Sequence, residues 1–223
     1  MKTKNILFVA LLVLLAGMVS CKKDHDIPTG TVFSVSGTYN GHDYVDLGLP
    51  SGLLWATCNL GADNPEGYGD YFAWGETQPK DTYTSDNYTY SDNPAIPPSD
   101  HDAATANWGS GWRMPTKEEW HELYKNTTVT WTQQNGVNGR LFTASNGNSL
   151  FLPAAGYRYD SSLYGVGGYG GFWSSSLDTV DPYDAWYFYF YSDDYGMGYN
   201  YRGYGRSVRG VRSLPITGKT GKE

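Results

Sequence analysis

The sequence has little charge, few cysteines and few histidines for its 223 residues, and each shortage excludes a class of protein. Charged residues make up 17% of the chain and leave a net charge of −7 at pH 7, so we expect no nucleic-acid partner. The 2 cysteines are too few for a scaffold built on disulfides. His121 and Glu122 are adjacent, but the second histidine of a zinc-protease motif is missing.

Motifs of the common enzyme classes are also missing. The chain has no G-x-S-x-G turn, no phosphate-binding loop and no dinucleotide fingerprint. We interpret the adjacent Asp100, His101 and Asp102 as a solvated loop, because neighbouring residues in a strand point alternately. The sequence therefore predicts a protein that is not an enzyme and that binds no cofactor and no metal.

The longest apolar run lies at the N-terminus, where Ile6 to Met18 follows a basic start. This run is too short to span a bilayer and predicts an export signal over residues 1–20. The sequence MVSC, ending at Cys21, resembles the lipobox of bacterial lipoproteins, in which the cysteine is acylated and becomes the mature N-terminus. A plain signal peptide is the alternative. We expect membrane attachment through lipid on Cys21 and an outer-membrane lipoprotein exposed at the cell surface.

Composition then divides the rest of the chain. Polar residues 21–38 predict a lipidated cysteine and flexible tether, residues 39–214 a single domain, and residues 215–223 a disordered tail. With Cys21 acylated, Cys58 is the remaining thiol, and its apolar surroundings predict a small buried hydrophobic residue.

Aromatic residues (16%) and 28 glycines favour an α+β fold of small antiparallel sheets, one or two short helices and long loops. A hairpin is predicted from Tyr44–Leu49 and Leu53–Leu60. Later strands, Val129–Thr132, Arg140–Thr143 and Ser149–Leu152, are separated by predicted Asn-Gly turns at Asn135, Asn138 and Asn146.

One helix is clear from the sequence. Thr116 and Glu119 form a capping box, and Trp120, Leu123 and Tyr124 recur at helical spacing to face a core. Residues 77–107 are irregular and rich in proline, which makes them a second candidate for ligand contact.

The segment from Gly171 to Arg212 is the strongest functional signal. Its middle alternates, with Trp186, Phe188 and Phe190 on one face of a strand and tyrosines on the other. Asp193 to Gly196 predicts a turn, after which tyrosines continue on a returning strand. Tyrosine with small polar residues is typical of antibody-type binding surfaces. An ordinary aromatic edge hairpin is the alternative.

We predict that this hairpin binds an extracellular protein or glycan. The predicted contact residues are Tyr183, Tyr187, Tyr189, Tyr191, Asp193, Asp194, Tyr195, Tyr199, Asn200, Tyr201 and Tyr204. A carbohydrate-active hydrolase is an alternative, because the separation of two catalytic carboxylates depends on the fold. A structural envelope or fimbrial subunit is another, and it would self-associate through strand edges.

Several motifs occur in a familiar order: YVDLGLPSGLLWATCNLGA, YGDYFAWGE, GWRMPTKEEW, LFLPAAGYR, FWSSS and SVRGVR. Together they resemble the Fibrobacter succinogenes major paralogous domain of Bacteroidetes lipoproteins, over about residues 40–212. The resemblance implies a C-type lectin-like fold. It also implies that Tyr44–Leu47 pairs with Ser207–Val211 to close the domain.

The same fold carries the variable proteins of diversity-generating retroelements, whose ligand face is rewritten at adenine-rich codons. The tyrosine, asparagine, aspartate, serine and glycine residues between Tyr183 and Tyr204 resemble that pattern. They lie over an apolar frame of Trp186, Phe188, Phe190 and Val208. Formylglycine-generating enzymes share the fold, but this chain has no cysteine after Cys58 to supply their chemistry.

Overall fold

The computed structural model describes residues 34–214. The predicted signal peptide, Cys21, most of the predicted tether and residues 215–223 lie outside this range. The strands are β1 (Gly37–Tyr39), β2 (His42–Asp46), β3 (Leu54–Ala56), β4 (Thr127–Gln134), β5 (Val137–Ala144), β6 (Ser149–Pro153), β7 (Tyr157–Tyr159), β8 (Ser162–Tyr164), β9 (Gly170–Leu177), β10 (Asp184–Phe190), β11 (Tyr195–Tyr201) and β12 (Val211–Arg212). The helices are α1 (Ala103–Trp108) and α2 (Lys117–Lys125), with a short 3₁₀ turn at Ser99–His101.

The strands form small antiparallel sheets, which confirms the α+β prediction at this coarse level. Their orders are β1-β2-β3-β12, β4-β5-β6, β9-β10-β11 and the hairpin β7-β8. The predicted hairpin near the start is confirmed as β2 and β3, with Val45 opposite Trp55. Strand β1 begins at Gly37, so part of the segment predicted as tether is paired into the first sheet.

The strand pairing that the family resemblance implied is wrong. The C-terminal strand β12 pairs with β3, Val211 opposite Trp55, and not with β2. Strand β2 already has both of its edges occupied, by β1 and β3. The segment before β12 continues along β3, since the Ala56 N–H donates to the Gly210 carbonyl at 2.9 Å.

Helix α2 confirms its prediction. The Thr116 side chain accepts a hydrogen bond from the Glu119 N–H, and the Glu119 carboxylate accepts one from the Thr116 N–H. Trp120 and Leu123 are fully buried, and the Trp120 ring stacks on Phe188 with ring centroids 5.0 Å apart. The helix therefore packs across the β9-β10-β11 sheet and covers one of its faces.

The β4-β5-β6 sheet confirms the three predicted strands and corrects one turn. Asn135 and Gly136 form the β4–β5 turn, and residues around Asn146 and Gly147 form the β5–β6 turn. Asn138 was predicted as a turn residue but lies inside β5, opposite Gln133. A second turn cannot form at Asn138, because this residue lies only two positions after the Asn135-Gly136 turn and is already paired in the sheet.

Helix α1 lies in the segment predicted to be irregular. Asp102 caps it, since the carboxylate accepts from the Thr105 N–H at 2.9 Å and from the Met114 N–H at 2.8 Å. Asp102 is 4% exposed, and burial raises the pKa of its carboxyl, an effect that the backbone hydrogen bonds oppose. Asp102 is thus a buried structural cap, so the interpretation of Asp100, His101 and Asp102 as a solvated loop is wrong for this residue. The His101 Nδ1 lies 2.9 Å from the Gly75 carbonyl oxygen.

The buried side chain of Arg209 links the C-terminal segment to the rest of the domain by hydrogen bonds. The Arg209 guanidinium is fully buried and donates to the Asn59 side chain and to the carbonyls of Ala56, Thr57 and Phe151. Burial lowers the pKa of Arg209 to about 10. The segment therefore contacts both β3 and β6.

Candidate functional site

The predicted β10–β11 hairpin is present, but its turn lies at residues 191–194 and not at Asp193 to Gly196, because Tyr195 and Gly196 already pair within β11. Its register arranges the tyrosines. Tyr187 lies opposite Gly198, and Tyr189 lies opposite Gly196. A β-carbon at position 198 would lie 3.2 Å from the phenol end of Tyr187. The glycines therefore leave room for the tyrosine rings to lie against the neighbouring strand.

A connected group of tyrosine rings extends from this hairpin across the domain. Ring centroids are 6.2 Å apart for Tyr187 and Tyr189, 6.3 Å for Tyr189 and Tyr191, and 5.0 Å for Tyr191 and Tyr169. Tyr169 then contacts Tyr157 at 5.8 Å. Such separations are within the range of favourable aromatic pairs.

The same group continues onto the β7–β8 hairpin and the segment after β11. Tyr157 lies 5.5 Å from Tyr164 and 6.0 Å from Tyr204, and Tyr204 lies 5.1 Å from Tyr159 and 5.6 Å from Tyr201. We call this connected set the tyrosine face. Its members are Tyr157, Tyr159, Tyr164, Tyr169, Tyr187, Tyr189, Tyr191, Tyr201 and Tyr204.

The β7–β8 hairpin supplies the most exposed part of the tyrosine face. Tyr159 is 47% and Tyr164 is 43% exposed; Leu163, opposite Arg158 on the other face of this hairpin, is 39% exposed, and Val166, just after β8, is 44% exposed. Tyr191, at the tip of the β10–β11 hairpin, is 47% exposed. Clustered exposed apolar side chains of this kind mark interaction surfaces more often than scattered ones do.

Arg206 supports the tyrosine face from beneath. It is 1% exposed, and its guanidinium carbon lies 3.6 Å from the centroid of the Tyr187 ring and 5.4 Å from that of Tyr157. Its Nη1 donates to the Tyr169 hydroxyl at 2.8 Å. These cation–π contacts and the hydrogen bond hold rings from two strands, β7 and β10, and from the segment before β9 in one arrangement.

Burial keeps four tyrosine hydroxyls of this surface neutral at physiological pH. Burial raises the pKa of Tyr169, Tyr189, Tyr201 and Tyr204 above its ordinary value. The Tyr189 hydroxyl donates to the Asp194 carboxylate at 3.2 Å. The surface therefore offers hydroxyl donors and acceptors next to apolar rings.

The rim of the tyrosine face is acidic. Asp160, Asp193 and Asp194 are exposed at the tips of the two hairpins. Within residues 34–214, none of these carboxylates takes part in a salt bridge. The exposed rim therefore carries negative charge that a basic partner would complement.

The structure separates some of the predicted contact residues from the tyrosine face. Tyr195 lies opposite Phe190 and Tyr199 opposite Trp186, so both point to the other side of the sheet. The reason is the connection between the strands, which sets Tyr195 and Tyr199 opposite even-numbered residues of β10. Tyr201 has the same parity, opposite Asp184, but it ends the pairing and its ring contacts Tyr204 of the tyrosine face at 5.6 Å. The prediction that Tyr195 and Tyr199 share a surface with Tyr187 is wrong.

The other predicted residues have different surroundings. Tyr195 packs edge-on against Tyr124 at 5.8 Å and beneath the Arg140 guanidinium. Tyr183 is 75% exposed on the loop before β10, and the Asn200 carboxamide oxygen accepts from the Tyr201 N–H. Of the predicted set, Tyr187, Tyr189, Tyr191, Tyr201 and Tyr204 belong to the tyrosine face, with Asp193 and Asp194 at its rim.

Sequence reasoning missed the residues that precede β9. Tyr157, Tyr159, Tyr164 and Tyr169 belong to the tyrosine face, but the β7–β8 hairpin was not predicted. The segment YRYDSSLYGVGGYGG has the same tyrosine, serine, aspartate and glycine composition as the β10–β11 region. Composition was therefore the signal that could have found it.

Cys58 and the long loop also differ from their predictions. Cys58 is half-buried and lines a cavity of about 130 Å³ with His42, Asp43 and Trp108, so it is not a fully buried hydrophobic residue. In the loop, Tyr90 is 4% exposed and packs against Trp74 at 5.9 Å. Part of the loop thus belongs to the core.

Within residues 34–214, no three acidic, cysteine or histidine side chains are arranged to hold a metal ion. Within this range, no helix is both long enough and apolar enough to cross a bilayer.

A family model for a domain of unknown function, DUF8237, matches residues 130–211. The match covers less than half of the chain, but it includes every strand of the tyrosine face. Neither the comparison with curated proteins nor that with solved structures finds a match.

Proposed function

We propose that this protein is a surface-tethered lipoprotein that recognises an extracellular protein or glycan non-covalently through its tyrosine face. The observation that carries the proposal is the connected set of tyrosine rings held over a buried arginine. Tyrosine offers large contact area at low rotamer-entropy cost, and support from beneath lowers the cost of ordering the surface on binding.

Exposed aliphatic residues favour a protein over a glycan as the ligand. Tyr159 and Tyr164 are exposed on one face of the β7–β8 hairpin, Leu163 is exposed on its other face, and the exposed Val166 follows β8. Protein interfaces bury such mixed aromatic and aliphatic patches in their centre, with charge at the rim. The acidic rim would then steer a partner that carries lysine or arginine.

The proposed fold is C-type lectin-like, in the family of the Fibrobacter succinogenes major paralogous domain. The small antiparallel sheets, the pair of short helices and the first and last strands joined in one sheet support it. The tyrosine-rich stretch also supports diversification by a retroelement, which a near-copy template beside a reverse-transcriptase gene would test.

A structural subunit is a second candidate, because of the edge strand β4. Its residues TTVTWTQQ contain no charge and no proline, although it forms the edge of the β4-β5-β6 sheet. Natural proteins usually protect edges of this length. A subunit of this kind would show a molecular mass that rises with concentration in sedimentation experiments.

The proposed binding is tested with the soluble chain from residue 30 onward on arrays of surface proteins and glycans. Replacing Tyr164 and Tyr191 with serine should remove binding of the captured ligand and lower the free energy of unfolding by only about 1–3 kcal/mol, because the rings are 43% and 47% exposed and lose aromatic contacts of about 0.5–1.5 kcal/mol each. Tyr199→Ser is the matched control, since Tyr199 is 57% exposed on the opposite side of the same hairpin. Binding that survives the double substitution would refute the proposal.

A further inference from the structure

A groove lies on the side of the β10–β11 hairpin opposite the tyrosine face. It encloses about 350 Å³ between helix α2 and the sheet, and its lining residues are Lys117, Glu118, His121, Tyr124, Trp186 and Met197. This volume is at the lower end of the range for small-molecule sites, roughly 300–1,000 Å³. The groove suits a small ligand better than a long chain.

The walls of the groove are apolar and held by packing. Tyr124 stacks on the buried Phe188 ring, with centroids 5.8 Å apart. The Trp186 ring contacts Tyr199 edge-on at 5.4 Å. Met197 lies on the same side of the sheet, opposite Phe188. These rings are therefore positioned before any ligand arrives.

The polar groups of the groove have mixed charge. The Lys117 Nζ lies 4.5 Å from the centroid of the Trp186 ring and 3.9 Å from the Glu118 carboxylate. The Glu118 side chain is 70% exposed, so its carboxylate oxygens remain accessible to a ligand. The His121 imidazole lies edge-on to Tyr124 at 4.9 Å. An ammonium and a carboxylate side by side present a donor and an acceptor with little net charge.

We propose that this groove binds a neutral saccharide of about one or two rings. A sugar ring has an apolar C–H face that matches Trp186 once the Lys117 ammonium, which lies over that ring, turns to a sugar hydroxyl. Each hydroxyl both donates and accepts, as Lys117 and Glu118 together require. A phosphate or other anion would be opposed by the Glu118 carboxylate, and a purely apolar ligand would leave the hydrogen-bonding groups of Lys117 and Glu118 unused. The site is independent of the tyrosine face, because it uses the other side of the sheet.

The test uses the full-length protein in a detergent without a sugar headgroup. Methyl glycosides of glucose, galactose, mannose, N-acetylglucosamine and N-acetylgalactosamine are titrated by calorimetry and saturation-transfer NMR, with glucuronate and inorganic phosphate as anionic probes. We expect at least one neutral glycoside to bind, and Trp186→Ala to weaken its binding about tenfold or more. Binding of the anionic probes in preference to every neutral sugar would overturn the proposal.

Two further variants keep the test decisive if Trp186→Ala fails to fold. Glu118→Ala alters an exposed side chain and should weaken the same glycoside several-fold, whereas Val180→Ser, at a position 92% exposed on the β9–β10 loop, should leave its Kd unchanged. No binding by any neutral glycoside, or a Kd that Glu118→Ala does not change, would show that the groove is not a saccharide site.

Discussion

Arg206 and Arg209 are equally buried, yet we expect replacement by methionine to lower the free energy of unfolding much more at Arg209 than at Arg206. Arg206 is 1% and Arg209 is 0% exposed. The Arg206 guanidinium is surrounded by the rings of Tyr187, Tyr157 and Trp173. The Arg209 guanidinium instead donates to backbone carbonyls and to the Asn59 side chain. Methionine can pack against rings, but it cannot donate to carbonyls.

The difference can be estimated from these contacts. Arg209→Met would leave buried carbonyls without their donors, each at about 1–3 kcal/mol, while removing a buried charge offsets part of the loss. The net expectation is a loss of about 3–5 kcal/mol in the free energy of unfolding. Arg206→Met removes cation–π contacts of about 2 kcal/mol and one hydrogen bond, with a similar offset. Its expected loss is about 1–2 kcal/mol.

Urea unfolding of the soluble chain, followed by tryptophan fluorescence, measures both values under one set of conditions. Arg209→Lys is an informative companion, because lysine keeps the charge but cannot fork between several carbonyls, so it should recover only part of the loss. If Arg206→Met costs as much as Arg209→Met, or if Arg209→Met is neutral, the reasoning from hydrogen-bond partners fails.

Two further predictions concern the helix cap and alkaline pH. Thr116→Ala should lower the free energy of unfolding by about 1 kcal/mol, because the hydrogen bond from the Glu119 N–H is lost. Thr128→Ala is the control, since Thr128 is exposed and the substitution should leave the free energy of unfolding nearly unchanged. Equal losses for the two variants in urea unfolding would contradict this reasoning. Burial raises the pKa of Tyr71 to about 12 from 10.0, so its contribution to stability is complete below pH 10.0 and is lost as the pH rises through about 12. Tyr71→Phe should therefore make the melting temperature fall less steeply over this range, and Tyr183→Phe is the exposed control. Parallel curves for these two variants would show that the buried phenol is not responsible.

Local patterns predicted the elements that depend on neighbouring residues. Helix α2 follows from its capping box at Thr116, and the β10–β11 hairpin follows from alternating residues and a polar turn. The strands of the β4-β5-β6 sheet follow from β-forming residues between Asn-Gly turns. These signals act within a few residues, so a single sequence contains them in full.

Long-range register was not predictable in the same way. Whether Tyr199 lies on the same face of the sheet as Tyr187 or as Trp186 depends on the number of residues in the β10–β11 turn. A shift of one residue in the register of β11 moves every one of its side chains to the other face. Helix α1 was hidden because Asp102, its cap, lies in a segment whose composition is that of a loop. The strand that pairs with β12 could not be predicted either, because no feature of the sequence around Val211 identifies β3 as its partner.

The union of β3 with β12 has a consequence for how the protein is made. Arg209 bonds to Asn59, 150 positions earlier, and β12 completes the sheet that β1 to β3 begin. When the first half of the chain has left the ribosome, this sheet therefore still lacks its final strand. Stable structure in that sheet must wait for synthesis of residues 206–212, and such late closure is expected to fold slowly. This sheet is therefore expected to close only after the whole domain has been synthesised.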